Sequence, residues 1–301
     1  EIFIPESEFI LEVSLIQKDE NELIPKGHEI AWDQFIIQEW QQSEPEYELE
    51  NALKIVSIDN NFIIRNDIVE LKLDKKTGEI TSWKHNGKIV TNQPIRPNFW
   101  RPPTDNDLGN GMDKWAKIWQ EATYNNSANL SKTPCIDRNR DGYVFEVNYK
   151  LPNEIAEANI LFNILSNGNL LIEYYFNPNK NELPNIPRLG MYMTLNNTFT
   201  DVSWYGKGPE ETYWDRKTGQ KTGLYSGKIK DQFHRYSRPQ ETGNKTDVRW
   251  VEISSEDLKL KVLGTELLNT SVWPFNMKEI DFNSNDGAES ASGLVPVTTK
   301  H

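Results

Sequence analysis

The chain has 301 residues, a net charge of −12 at pH 7 and a sequence pI near 5.0. This charge argues against nucleic-acid binding, which depends on Lys and Arg side chains that neutralise phosphates. The mean hydropathy of −0.69 predicts a hydrophilic surface, and ten Trp residues supply a sizeable core. No run of about 18 apolar residues exists, so the sequence also argues against a membrane-spanning helix.

Alternating apolar and polar residues predict that β-strands dominate the chain. Two strands, at residues 9–16 and 29–37, precede a polar, proline-containing linker at residues 44–59. Further strands are predicted at residues 69–74, 79–83, 142–150, 155–165, 170–176, 189–195, 202–205, 248–253 and 258–263. Many short strands with few helices predict an all-β sandwich and argue against a parallel α/β sheet.

One amphipathic helix is predicted over residues 112–122. Trp115, Ile118, Trp119 and Ala122 recur there at the spacing of one helix face. Because tryptophans on such a face usually pack inward, we expect both to belong to the hydrophobic core.

Cysteine and histidine usage narrows the kinds of site that the chain can hold. The single Cys135 excludes an intrachain disulfide and a cysteine-based metal cage, and it leaves a cytoplasmic or periplasmic location open. The four histidines, at positions 28, 85, 234 and 301, show no metal-ligand spacing. The chain starts at Glu1 without an initiator Met or a signal peptide, which suggests a mature form or a piece of a longer protein.

The densest functional signal is the segment Phe99-Trp100-Arg101-Pro102-Pro103-Thr104-Asp105-Asn106-Asp107. Two prolines pre-shape the loop, and its aromatic rings offer flat faces on which a sugar can stack. The Arg fork and the carboxylates can bind a polyhydroxylated ligand, or they can pair with one another in a purely structural loop. Both interpretations are open at this point.

Two later segments are also rich in polar and aromatic residues. In Gly206-Lys207-Gly208-Pro209-Glu210-Glu211-Thr212-Tyr213-Trp214-Asp215-Arg216, the Gly-x-Gly-Pro run indicates a turn and not a phosphate-binding loop. The third segment is Pro239-Gln240-Glu241-Thr242-Gly243-Asn244. The chain has no Gly-x-Ser-x-Gly element for a serine nucleophile. These residues suit carbohydrate, but they do not decide between binding and cleavage.

In this order, the three segments resemble the C-terminal part of the large bacterial β-galactosidases of glycoside hydrolase family 2. The matching patterns are Phe-Trp-Arg-x-Pro-x-Asp-Asn-Asp at residues 99–107, Gly-x-Gly-Pro-x-Glu-x-Tyr-x-Asp-Arg at 206–216 and Pro-Gln-Glu-x-Gly-Asn at 239–244. Residues 27–35 resemble the closing strand of the immunoglobulin-like domain that comes before this part in the family.

The resemblance implies a fold and a division into domains. Residues 60–301 are expected to form a large antiparallel β-supersandwich of the galactose-mutarotase type, truncated at its C-terminus. Residues 1–43 are expected to be the last strands of an immunoglobulin-like β-sandwich domain. Because such strands have open edges, we expect them to pack on the larger domain or on a neighbouring chain.

The resemblance also implies a function without catalytic residues in this chain. The family hydrolyses terminal β-D-galactosides such as lactose with retention, using two glutamates of a TIM barrel that lies upstream. No Gly-Asp-x-Ser-Trp motif, which places a tryptophan against the sugar in the family, occurs here. We therefore expect the isolated chain to be inactive. We also expect it to carry no metal or cofactor, since the family binds its Mg²⁺ and Na⁺ upstream.

The residues expected to lie near the substrate or to brace the loops around it are Arg101, Asp105, Asn106, Asp107, Thr123 and Glu210. Thr123 opens a segment, at about residues 123–131, that matches a loop near the sugar in the family and that we expect to act as a binding or lid loop. The implied partners are a galactoside in the full enzyme, the upstream barrel and a possible second copy of the chain, with no nucleic acid and no membrane.

Two other functions stay open from the sequence. A free-standing carbohydrate-binding or mutarotase-like module would need a His/Glu acid–base set, for which only His85 and His234 are plausible, and neither has a recognisable partner. A scaffold without ligand contact is the third interpretation.

Overall fold

A computed structural model describes residues 7–41, 52–137 and 141–281 of the chain. Strands predominate. They are β1 (Phe9–Ile16), β2 (Glu29–Gln38), β3 (Lys54–Ile58), β4 (Asn61–Arg65), β5 (Val69–Asp74), β6 (Ile80–His85), β7 (Lys88–Thr91), β8 (Arg96–Asn98), β9 (Ser127–Asp137), β10 (Gly142–Lys150), β11 (Ala156–Leu165), β12 (Leu170–Pro178), β13 (Gly190–Tyr192), β14 (Asp201–Gly208), β15 (Lys221–Lys228), β16 (Lys245–Ser254) and β17 (Lys259–Thr270).

The helices are short and lie mainly between β8 and β9. They are α1 (Asp105–Gly109), α2 (Met112–Trp115) and α3 (Lys117–Tyr124), with 3-10 turns at Pro152–Glu154, Ile229–Asp231 and Met277–Glu279. Within the described ranges, no helix has the length and apolar character needed to cross a membrane.

The strands form antiparallel sheets, as the alternating pattern predicted. One sheet has the order β3-β4-β5-β6-β7, a second β12-β11-β10-β9 and a third β15-β14-β16-β17; β1-β2 and β13-β8 form two-stranded sheets. Buried side chains from the three larger sheets join in one hydrophobic cluster, in which the rings of Phe145 and Phe162 stack 5.1 Å apart. This arrangement confirms an all-β sandwich; the finer supersandwich assignment stays a prediction.

The sheets begin earlier than the sequence predicted. Strand β3 falls inside the predicted linker at residues 44–59 and pairs along its whole length with β4. The alternation of Ile55, Val56 and Ile58 was too short to stand out beside the polar residues before it. Residues 44–51 of the predicted linker, and the part of the predicted C-terminal domain after residue 281, lie outside the described residues. The division into two domains stays a prediction.

The predicted helix at residues 112–122 is two helices. Ala116, with φ −99° and ψ 4°, interrupts it between α2 and α3. The break turns the two tryptophans apart. Trp119 is fully buried against Phe99 and Phe176, whereas Trp115 is 41% exposed, so the expectation that both are core residues was wrong for Trp115.

The β1–β2 hairpin, here called the N-terminal hairpin, contacts the sheet β15-β14-β16-β17. Glu8, just before β1, accepts hydrogen bonds from the guanidinium of Arg249, and both side chains are at most 3% exposed. Gln34 exchanges two hydrogen bonds, of 2.7 and 3.0 Å, with the backbone of Thr222. The Lys221 ammonium reaches carboxylates of the hairpin as well. These contacts are those expected if the hairpin packs on the larger domain.

Candidate functional site

The segment 99–107 starts in the core and reaches the surface at Asp105 and Asn106. Phe99 and Trp100 are buried, at 0% and 1% exposure, and Trp100 Nε1 donates to Asp281 Oδ2 at 2.9 Å. These two rings are therefore structural, and the interpretation that a sugar stacks on them is wrong. The burial of this aromatic pair fixes where the following Arg101 emerges.

Arg101 and Asp107 form a two-pronged ion pair. Arg101 Nη2 donates to Asp107 Oδ1 at 2.9 Å, and Nη1 donates to Oδ2. The side chain of Arg101 stays 25% exposed, so this pair closes the loop but does not remove the arginine from solvent. A planar guanidinium bound by both prongs has little freedom left to reorient.

Asp107 is also the N3 residue of the capping box at the start of α1, in which Thr104 is the N-cap. Thr104 donates to Asp107 Oδ2 through both its backbone N–H and its hydroxyl, each at 2.8 Å, and its hydroxyl accepts from the backbone N–H of Asp107. Burial disfavours the ionised form of Asp107. The hydrogen bonds from Arg101 and Thr104 outweigh this effect and hold the pKa of Asp107 below its ordinary value. Asp107 is therefore an ionised anchor.

Asp105 and Asn106 lie at the start of α1 and are both exposed. The guanidinium of Arg238 donates to Asp105 Oδ1, and the backbone N–H of Asp105 donates to Gln240 Oε1 at 3.3 Å. These contacts bring the segment 99–107 against the segment 239–244, although more than 130 residues separate them in sequence. Sequence patterns give no indication of this contact.

Glu211 joins the second and third segments. Its Oε1 accepts from Arg216 Nη2 at 2.6 Å and from the hydroxyl of Tyr236, while its Oε2 accepts from Gly243 N at 2.7 Å. Gly243 adopts φ +71°, a conformation that glycine takes without strain, and this turns its N–H toward the carboxylate. Burial opposes ionisation of Glu211, but these donors prevail and lower its pKa.

A second contact between these segments is buried. Thr212 N donates to Asn244 O at 2.7 Å, and Asn244 Nδ2 donates back to Thr212 O at 2.7 Å. Thr246 N donates to the hydroxyl of Thr212 at 2.8 Å. Nothing in the sequence indicates that the side chains of Thr212 and Thr246 link these segments, because threonines carry no distinctive spacing.

The sequence also did not single out the buried pair of Glu241 and Arg188. Arg188 Nη2 donates to Glu241 Oε1 at 2.7 Å, and the glutamate side chain is fully buried. Desolvation dominates and raises the pKa of Glu241 above its ordinary value, with the charges of Arg188 and Arg101 opposing the rise. Because Arg188 lies in a segment with no motif, only the three-dimensional fold reveals its role.

The structure corrects the predicted loop at about residues 123–131. Thr123 is a buried residue of α3, and β9 begins at Ser127. The Thr123 hydroxyl accepts a hydrogen bond from Phe99 N at 2.9 Å, so this residue holds the start of the segment 99–107 against α3. The Asn- and Ser-rich composition was misleading, because β9 pairs with β10 and therefore tolerates weak strand formers.

Glu210, unlike its neighbour Glu211, is exposed. It follows the end of β14, where its backbone N–H faces Gln220 Oε1 at 3.4 Å. The residues 99–107, 206–216 and 239–244, here called the motif cluster, thus combine buried bonded charges with the exposed side chains of Asp105, Asn106 and Glu210. Within the described ranges, no three His, Cys, Asp or Glu residues are grouped so that they could hold a metal ion.

Comparisons with known proteins agree on one family. A family model described as the β-galactosidase small chain matches residues 65–288. The β-galactosidase of Priestia megaterium is 32% identical over 278 residues, which cover 91% of this chain and 26% of that protein. The β-galactosidase of Kluyveromyces lactis is 29% identical over 296 residues, which cover 93% of this chain and 27% of that protein.

A third similar protein, the β-galactosidase of Halalkalibacterium halodurans, is 29% identical over 254 residues, or 82% of this chain and 24% of that protein. This chain spans about a quarter of the length of these curated relatives. With a family model that covers most of its length and a relative above 30% identity, the chain belongs to the β-galactosidase small-chain family.

Proposed function

We propose that this chain is the non-catalytic C-terminal region of a glycoside hydrolase family 2 β-galactosidase that hydrolyses terminal β-D-galactosides such as lactose. In this proposal it flanks the mouth of an upstream TIM barrel and completes the substrate site there. The names of the relatives and the three motif segments support this assignment. The antiparallel sheets fit the supersandwich architecture that the proposal includes.

The observation that carries the proposal is the contrast within the motif cluster. Arg101, Asp107 and Thr123 are committed to bonds inside the cluster, whereas Asn106 and Glu210 are exposed on it. The first group is therefore assigned to bracing, and the second group, with Asp105, to the side that faces the substrate or the barrel. Asp105 has a mixed role, because it is exposed yet also pairs with Arg238.

The three bonded carboxylates of the cluster, Asp107, Glu211 and Glu241, are poorly suited to act as the general acid in glycoside hydrolysis. A general acid in this reaction needs a raised pKa and access to the glycosidic oxygen. Asp107 and Glu211 have lowered pKa values, and Glu241, whose pKa is raised, is fully buried. Catalytic groups and any metal ion are accordingly assigned to the upstream part of the enzyme, and no cofactor is assigned to this chain.

Hydrolysis of nitrophenyl-β-galactoside tests this assignment. The chain purified from a host without β-galactosidase should release no nitrophenol above the level of a mock preparation from the same host. The full-length enzyme that contains the chain should be active under the same conditions. Nitrophenol release that rises in proportion to the amount of isolated chain would overturn the non-catalytic assignment.

A further inference from the structure

Lys245 is a buried cation at the start of β16. The residue is 7% exposed, and its Nζ lies 4.9 Å from the centroid of the Trp204 ring. Desolvation of an ammonium group is costly unless acceptors and negative charges compensate it. The sequence motifs and the proposed function leave this lysine without a role.

The polar end of Lys245 meets the chain where β14 ends. Its Nζ donates to the carbonyl oxygen of Pro209 at 3.0 Å. Pro209 is the residue immediately before Glu210. An ammonium group has three N–H donors, so the bond to Pro209 uses only part of its capacity. Lys245 also lines a small cavity of about 10 Å³, together with Trp204 and Thr270 among others, which has room for about one water molecule.

The carboxylates near Lys245 favour its charged form. Burial lowers the pKa of Lys245, and the negative charges of Glu210 and then Glu211 oppose this drop. Glu211 is already bonded to Arg216, Tyr236 and Gly243, whereas Glu210 is exposed. The Lys245 ammonium thus bonds the carbonyl of Pro209, lies near the Trp204 ring, and is favoured in its charged form by the negative charges of Glu210 and Glu211.

We infer that Lys245 is a positioning residue that fixes Glu210 at the edge of the motif cluster, through the Pro209 carbonyl and through its own positive charge. The inference rests on the proposed function, in which Glu210 faces the substrate or the barrel. Lys245 does not itself reach the surface, and it acts only through Glu210. The Nζ atom also lies 4.9 Å from the Trp204 ring centroid, a cation–π contact that holds the ammonium in place beside the Pro209 carbonyl.

The charge coupling is measurable in the 301-residue chain by NMR of ¹⁵N-labelled lysine ammonium groups during a pH titration. Glu210→Gln should lower the pH at which Lys245 loses its proton, because it removes a negative charge that favours the ammonium form. Glu256→Gln, a matched change of an exposed glutamate in the turn between β16 and β17, should leave that pH in place. An unchanged titration of Lys245 in Glu210→Gln would overturn the inference.

Two variants of Lys245 in the full-length enzyme separate the inference from the proposed function. Lys245→Met keeps the aliphatic stem without the charge and should lower kcat/KM several-fold, whereas Lys245→Arg keeps the charge and should recover most of it. Equal losses in both variants would mean that shape alone matters and would contradict the inference. If the NMR coupling is present but neither variant changes kcat/KM, the inference about Lys245 and Glu210 stands and the role of Glu210 in the proposed site fails.

Discussion

The motif cluster and the N-terminal hairpin place their side chains in opposite ways. In the cluster, polar and charged groups such as Glu241 and Asp107 lie inside, each bonded to an arginine. In the hairpin, apolar residues lie outside, with Leu15 60% and Ile37 67% exposed. The hairpin is held to the sheet chiefly by polar contacts, above all the buried pair of Glu8 and Arg249.

This difference shows that a segment dense in polar residues can be largely buried, while a strand rich in apolar residues can be exposed. Charges that are buried need groups of opposite charge close by. Arg101 and Arg216 supply them to Asp107 and Glu211 from within the same segments, and Arg188 supplies one to Glu241 from outside the cluster. The cluster therefore combines charges that are bonded and largely withdrawn from solvent with a few exposed side chains. The hairpin, by contrast, has an apolar face that lacks cover among the described residues, formed by Leu11, Val13, Leu15 and Phe35.

The largest effect is expected from breaking the attachment of the hairpin. Glu8→Ala leaves the buried guanidinium of Arg249 without its carboxylate, at a cost of about 3–5 kcal/mol. Because the hairpin has few other buried contacts, the loss should appear as faster amide hydrogen exchange in β1 and β2 with little change in β10 and β11. Glu22→Ala, in the exposed loop between β1 and β2, is the control. Unchanged exchange in β1 of Glu8→Ala would contradict the comparison.

In the motif cluster, we expect the loss of a buried charge to weaken the whole sandwich. Glu211→Ala removes the acceptor of Arg216, Tyr236 and Gly243 and should lower the free energy of unfolding by about 2–3 kcal/mol. The neighbouring Glu210→Ala should change it by less than about 0.5 kcal/mol, since that side chain is exposed. Urea denaturation measures both values. Equal losses at the two positions would show that burial does not separate them.

The ion pair of Asp107 predicts a pH dependence with a definite sign. Because the pKa of Asp107 is lower in the folded chain than in the unfolded one, its contribution to stability is present above about pH 4 and is lost as the pH falls through the folded value. Asp107→Asn should therefore cost about 1–2 kcal/mol near neutral pH, and this cost should shrink in acid. Urea denaturation of both proteins from pH 7 to pH 3 measures it. A difference that stays constant over this range would refute an ionised anchor.

The smallest effect on stability is expected on the exposed face of the hairpin. Leu15→Lys should change the free energy of unfolding by less than about 0.5 kcal/mol, but it should reduce self-association of the isolated chain, because it breaks an exposed apolar surface. Light scattering over a range of protein concentrations measures this. Glu20→Gln, on the exposed loop of the same hairpin, makes the same change in net charge and is the control. Self-association that is equal in the two variants would mean that the apolar face is not its cause.

Strands with strong alternation could be predicted from the sequence. The predicted bounds of β1, β5 and β10 match the structure: β5 alternates apolar and polar residues over its whole length, and β1 and β10 combine alternation with short apolar runs of strand-forming residues. Strand β15 was missed, because Gly223 and Gly227 weaken its pattern and it depends on the eight-residue register with β14. Such a strand owes its existence to a partner that local sequence does not reveal.

Within the candidate site, the sequence identified the three segments but not their internal connections. Arg101 and Asp107 lie close in sequence, and their pairing is one of the two interpretations that the sequence leaves open. Arg188 and Lys245 could not be found in this way, because each meets its partner only when segments that are distant in sequence pack together. The roles of the exposed residues, including Asn106 and Glu210, remain predictions.

The proposed function separates bracing residues from substrate-facing residues within the motif cluster. Its most direct test compares Asn106→Ala with Asp107→Asn in the full-length β-galactosidase, measuring kcat/KM for nitrophenyl-β-galactoside and the thermal unfolding midpoint of each. We expect Asn106→Ala to lower kcat/KM while the midpoint stays at the wild-type value, and Asp107→Asn to lower the midpoint. A lowered midpoint in Asn106→Ala with unchanged kcat/KM, together with a wild-type midpoint in Asp107→Asn, would contradict the account.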